Sequence, residues 1–260
     1  MTLKQVKKRK VRVPKTRERV GRIIKRENMY STLSELRAAG RADLDGHWGE
    51  AVMLTFVYVI ICSLLGASAG GALNLIIPGC SLIVTVLLLP MNWGMCLTFL
   101  SNSRKIDHDP FDIGHLFDGY KNGQFKRIFT TYLLMYIYIV LWTLLLIVPG
   151  IIKAISYAMT PYILRDNPEL QNNEAIEKSM RMMQGHKSRY FFLCLTFIGW
   201  ILLGILTLGI GLFWVEPYIN ATTVRFYEEL KDQEAEIIED TPETVSTPEV
   251  DFKDEGSYAK

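Results

Sequence analysis

Apolar positions gather into four long blocks, at 51–67, 79–100, 128–164 and 190–215, with polar sequence between them. The blocks are too long for the strands of a globular sheet and too weakly charged for surface helices. A helix needs about 20 apolar residues to cross a hydrocarbon core. The pattern therefore predicts membrane-spanning helices.

Length then divides the longer blocks. As a single helix rising about 1.5 Å per residue, 128–164 would be roughly 55 Å long, against a core of about 30 Å. It must fold back, and Pro149-Gly150 is the place: proline removes a backbone donor and glycine takes turn dihedrals closed to other residues. The same argument divides 190–227 at Gly209 and Gly211, while Gly66–Gly71 and Pro78-Gly79 separate the first two spans. Six spans follow, at 50–67, 79–101, 128–148, 150–165, 190–206 and 210–227, arranged as three helical hairpins.

Charge changes the picture next, because a near-neutral total hides two opposite tails. Residues 1–26 hold twelve Lys or Arg and one acidic residue, whereas 231–260 hold ten Asp or Glu and three Lys. The connections at 67–78, 148–150 and 207–209 carry no Lys or Arg, and those at 102–127 and 165–189 carry five each. The positive-inside rule then places both termini and both long loops in the cytoplasm. No cleavable signal peptide is expected, so the first span serves as the insertion signal. Three regions result: a basic extension at 1–30, a membrane domain at 31–230 and an acidic tail at 231–260 whose composition predicts disorder.

Self-comparison reveals a repeat. A short amphipathic helix, a glycine joint and a hairpin recur three times, with joints at Gly46 in LDGHWGEAVML, Gly119 in FDGYKNGQFKRIF and Gly185 in MQGHKSRYFFL. Pro78 and Pro149 are each followed twelve residues on by Pro90 and Pro161, and Glu216-Pro217-Tyr218-Ile219 echoes Thr160-Pro161-Tyr162-Ile163. The joint helices have start signals: a capping box at Thr32 and Glu35, Asp109-Pro110, and Asn173-Glu174. They are expected at the cytoplasmic interface, with their apolar faces against lipid or the bundle.

The runs PGIIKAISYAMTPYILRDNP, SMRMMQGHKSRYFF and FIGWILLGILTLGIGLFWVEPYINATTVRFYEEL, with ELRAAGRADLDGHWGEAVMLTF near the start, resemble the bacterial integral membrane proteins of domain-of-unknown-function family 975. The resemblance runs over about residues 33–230. It implies a multi-span membrane protein of that family and supplies no catalytic residue.

Candidate chemistry is sparse. Lys153 and Glu216 fall at similar depth, each shortly after an outer bend, and ionisable groups at membrane depth face an interior, a cavity or one another. A Lys153–Glu216 pair lining a polar crevice is the sharper expectation. The favoured one has Lys153 snorkelling to the headgroups and Glu216 packed against the irregular turn at Pro217. Asn74, Asn92 and Asn220 are read as inter-helix hydrogen-bonding groups. Arg225 and Glu228 are read as anchors at the cytoplasmic end of the last span. Pro90, Pro161 and Pro217 are read as kinks satisfied by packing.

The four histidines lack HExxH spacing, and neither a nucleophile elbow nor a phosphate loop is present. Asp107, Asp109, Asp112 and Asp118, beside His108 and His115, are read as caps and loop solvation rather than a metal site. Cys62, Cys80, Cys96 and Cys194 are read as buried apolar residues. No enzyme activity, cofactor or metal is expected. The basic segment is read as attracted to anionic lipid headgroups rather than nucleic acid. The function expected is that of a non-enzymatic membrane scaffold or accessory protein binding lipid or another membrane protein; the alternative is a transporter or permease for a small or amphipathic solute.

Overall fold

The computed structural model describes residues 30–70, 80–106, 111–121 and 123–239. Pro78, Gly79, the Asp109-Pro110 start, Asn74 and the greater part of both tails lie outside the described residues. Among the described residues every regular element is a helix. In chain order they are α1 (Leu33–Asp43), α2 (Trp48–Gly70), α3 (Cys80–Leu87), α4 (Leu89–Arg104), a 3-10 helix (Ile113–Tyr120), α5 (Phe125–Leu145), α6 (Ile147–Tyr157), α7 (Thr160–Asp166), α8 (Asn173–Met182), α9 (Lys187–Leu206) and α10 (Leu212–Glu239).

Among the described residues five stretches are long and apolar enough to cross a membrane: Trp48–Ala67, Val84–Arg104, Phe125–Leu145, Ile147–Asp166 and Lys187–Leu206. The expected sixth, α10, is not among them. Its first turns are apolar, but Glu216, Arg225, Glu228 and Glu229 interrupt the run, and the helix continues unbroken through Pro217 to Glu239.

The turn between α5 and α6 comes earlier than Pro149-Gly150. Leu146 alone takes extended backbone, φ −158° and ψ 137°, so Pro149 and Gly150 fall in the first turn of α6. There the missing proline N–H costs nothing, because the first backbone donors of a helix have no intrahelical partner. Gly150 lets the two helices close, since a Cβ on it would lie 2.8 Å from Thr143 Cα. The third hairpin turns over Thr207–Gly211 as glycine spacing predicts. Leu208 and Gly209 both take the left-handed region, with φ 56° and 87°. Pro90 and Pro161 each sit in the first turn of a helix that follows a break, at Leu88 and at Ala158–Met159.

The predicted capping box forms: Glu35 N–H donates to Thr32 Oγ1 at 3.2 Å, and Thr32 N–H donates to Glu35 Oε2 at 2.6 Å. The backbone bond from Thr32 holds the Glu35 pKa below its ordinary value. Gly46 and Gly185 are left-handed, with φ 84° and 81°, and lead into α2 and α9 by the same turn. In the second repeat that conformation belongs to Gly123, φ 68°, rather than Gly119. Gly119 serves close packing: a Cβ there would lie 2.5 Å from Pro90 O, and one on Gly94 2.5 Å from the carbonyls of His115 and Leu116. The 3-10 helix therefore rests directly on the α4 backbone.

Each repeat contributes one outer and one inner helix. The outer helices α2, α5 and α9 bury 17% of their apolar windows, against 56% for the α4 span and 50% for α6–α7. The inner helices meet through Trp93, whose Nε1–H donates to Pro161 O at 3.0 Å, and through stacked Tyr162 and Tyr227 with ring centres 5.1 Å apart. The arrangement is cyclic. Helices α1 and α2 pack on α10, the 3-10 helix and α5 on α4, and α8 and α9 on α6–α7. Each repeat thus places its joint and outer helices against the inner helix of the repeat before it. The joint helices put their apolar faces on the bundle: Gly40 lies under Thr222, and Ser179 Oγ–H donates to Ser156 O at 2.8 Å.

Replacing Gly94 tests this packing. Gly94→Ala is expected to destabilise the purified protein by about 1–3 kcal/mol, because the new methyl meets backbone that cannot yield. Gly49→Ala, in open space within α2, is expected to be neutral or stabilising by up to about 1 kcal/mol. Thermal unfolding in detergent, followed by size exclusion, distinguishes the two.

Candidate functional site

The three inner helices meet in one polar cluster, at the ends of α4 and α7 and partway along α10. Arg104, in the last turn of α4, places Nη1 and Nη2 at 2.6 and 2.7 Å from the two carboxylate oxygens of Asp166, the final residue of α7. The same guanidinium donates through Nε and Nη2 to Glu228 Oε1 of α10, at 2.9 and 2.7 Å. Tyr227 Oη–H and Lys231 Nζ–H complete the shell of Asp166 Oδ2 at 2.8 and 2.7 Å. The side chains of Arg104, Asp166 and Glu228 are 21%, 12% and 22% exposed, so their charges are largely withdrawn from solvent. Such withdrawal is tolerated only where partners satisfy the charges, and here two carboxylates share one planar fork.

Two flanking pairs tie the joint and outer helices to α10. Arg225 pairs with Asp43 at the end of α1 through both Nε and Nη2. Arg189, near the start of α9, donates to Glu229 Oε1 at 2.5 Å and to Ser31 O at 2.5 Å. Its guanidinium lies over the rings of Tyr30 and Phe226, at 5.2 and 5.3 Å from their centres. Beside it, burial, reinforced by the charge of Arg189, pushes the His186 pKa below its ordinary value.

Lys153 and Glu216 are not joined in an ion pair. The Lys153 ammonium lies 5.1 Å from the Trp142 ring centre and 6.0 Å from that of Tyr157, and it approaches Met180 Sδ at 3.8 Å. Cation–π attraction holds it within its own hairpin and against α8. Glu216 Oε1 accepts instead from Asn220 Nδ2 one turn along α10, at 3.3 Å. Asn220 therefore bonds within its own helix, whereas Asn92 Nδ2 approaches Tyr58 Oη across α4 and α2 at 3.5 Å. Glu216 faces a cavity of about 580 Å³ between α2 and the α9–α10 hairpin.

The acidic loop does structural work. Asp112 Oδ1 caps the 3-10 helix at Gly114 N, 3.2 Å away, and Asp118 bonds His115 and Lys121, both at 3.0 Å. Among the described residues no three His, Cys, Asp or Glu side chains gather as metal ligands. Asp107, His108 and Asp109 lie outside the described residues.

Sequence reasoning reached Arg225 and Glu228 only as end anchors and passed over Arg104 and Asp166. The available signal was that each inner helix closes an apolar run with charge: Arg104 before Lys105, Arg165-Asp166, and Arg225 to Glu228. Charges of opposite sign closing three apolar runs are what a shared cluster requires.

Among the described residues the chain is thus all-helical, with five helices long and apolar enough to cross a membrane and with its inner helices joined by a cluster of charges. Residues 144–234 match the model of a family described as protein of unknown function, DUF975, and the match supports membership of the chain in that family. The matched residues take in α6 to α9 and most of α10, including Lys153, Asp166, Gly185 and Glu216. Comparison with curated proteins and with solved structures finds no match.

Asp166→Asn is expected to destabilise the protein by about 2–4 kcal/mol, because it leaves Arg104 and Lys231 facing a neutral amide. Arg104→Lys is expected to fall short of the wild type as well, since an ammonium cannot present the fork that engages two carboxylates at once. Thermal melting of both variants in the same detergent provides the comparison.

Proposed function

We propose that the chain is a multi-pass protein of the bacterial cytoplasmic membrane, with six spans as three hairpins and both termini in the cytoplasm, and that it acts without catalysis as a scaffold or accessory protein binding lipid or another membrane protein. The observation that carries this reading is the division of the bundle. Its inner helices are locked by the Arg104–Asp166–Glu228 cluster, while its outer helices leave long apolar faces uncovered. Leu144, Leu206 and Leu208 are 84%, 79% and 94% exposed at the hairpin tips. Apolar surface on this scale requires lipid or an apolar partner. The absence of Lys and Arg from the short turns supports the orientation.

A second reading, a transporter or permease for a small or amphipathic solute, is favoured by the cavity that Glu216 lines. Carboxylates at membrane depth mark solute paths in such proteins.

Two measurements test these readings. In protein carrying Cys→Ser at the four native cysteines, single cysteines at Ser68, Asn172 and Asp232 are treated with a membrane-impermeant thiol reagent on intact cells. Labelling at Ser68, with protection of the other two until lysis, is the expected result; the reverse pattern overturns the orientation. Native mass spectrometry of protein released from mild detergent is expected to show retained lipid or a bound membrane protein. A bare single chain in every mild detergent overturns the scaffold reading.

A further inference from the structure

We infer that the cavity between α2 and the α9–α10 hairpin is a binding site for a hydrophobic cation, a molecule with one positive head and an apolar body. Its volume of about 580 Å³ falls within the roughly 300–1,000 Å³ of small-molecule sites. The walls are aliphatic, from Val59, Ile201, Leu212 and Ile219, with the rings of Tyr58 and Phe213 among them. One side chain of the lining carries a carboxyl group, Glu216.

Charge complementarity selects the occupant. Among the described residues the carboxylate of Glu216 has no ion-pair partner, and its hydrogen-bonding neighbour is the neutral amide of Asn220. Lys153, which the sequence places at a similar depth, is engaged elsewhere by Trp142, Tyr157 and Met180. An anionic ligand would meet repulsion, and a neutral apolar ligand would bury the carboxylate uncompensated. A cation satisfies it, and the aromatic residues Tyr58 and Phe213 in the lining favour the same sign of charge. The rim at the α9–α10 turn is apolar, with Leu208 and Ile210 exposed, so an apolar body can enter there. The inference concerns occupancy alone and holds or fails independently of whether the protein is a scaffold or a transporter.

The test uses two probes of one shape and opposite charge, tetraphenylphosphonium and tetraphenylborate, in equilibrium dialysis against the full-length protein in a non-ionic detergent. The expected result is saturable binding of one phosphonium per chain, at least about tenfold tighter than the borate, weakened by about tenfold or more in Glu216→Gln. Ile219→Trp, which fills the cavity and keeps the carboxylate, is expected to abolish it. Equal binding of the two ions, absence of saturable phosphonium binding, or undiminished affinity in a monodisperse Glu216→Gln protein overturns the assignment. The comparison of the two ions on wild-type protein decides even where a variant fails to fold.

Discussion

The carboxylate of Asp166 is the point on which the bundle depends. It lies at the end of one inner helix and accepts hydrogen bonds from the other two, through Arg104 of α4 and through Tyr227 and Lys231 of α10. Apolar packing between helices is non-directional and leaves their sliding weakly opposed. A bidentate guanidinium–carboxylate contact is directional, and it fixes both depth and rotation at once. Trp93 against Pro161 and Tyr162 against Tyr227 follow from that setting, because both contacts lie on the same three helices at a compatible depth.

The repeats solve a packing problem that none could solve alone. A single hairpin with its joint helix has more apolar surface than it can cover, so each lends its joint and outer helices to the repeat before it. Glycine makes the contact close where a joint helix crosses an inner one: Gly40 under Thr222, Gly94 and Gly119 between α4 and the 3-10 helix. In the remaining repeat a hydroxyl takes that role, as Ser179 bonds the carbonyl of Ser156 before the break at Ala158–Met159. One geometry is thus reached by different chemistry, which is why the repeat is faint in the residues and plain in the contacts.

What was legible in the chain was what depends on neighbours in sequence. The helix predicted at 190–206 lies within Lys187–Leu206, and the capping box of Thr32 and Glu35 forms as written. The proline breaks before Pro90 and Pro161 also follow from local backbone chemistry. The turn at Leu146 was missed because an unremarkable leucine can take an extended conformation when the helices on either side require it, while the nearby Pro149-Gly150 carries the louder local signal. Gly119 was mistaken for the joint because two glycines lie four residues apart, and what tells them apart is the left-handed backbone of Gly123 and the contact of Gly119 with Pro90. The Arg104–Asp166–Glu228 cluster links residues 62 and 124 positions apart, and no local pattern encodes such a pairing. Lys153 and Glu216 share a depth by spacing, but azimuth around the bundle decides contact, and spacing along one helix does not supply the azimuth of another.

The cyclic order has a consequence for how the protein is made. Helix α1 leaves the ribosome well before its native partner, α10, so the notch at Gly40 and the carboxylate of Asp43 stay without their native contacts until α10 is synthesised. The other two seams, between the 3-10 helix and α4 and between α8 and α6–α7, join segments that are near neighbours in the chain and can close as they emerge. Biosynthesis therefore produces an open ring that elongates one repeat at a time, and the arrival of α10 shuts it.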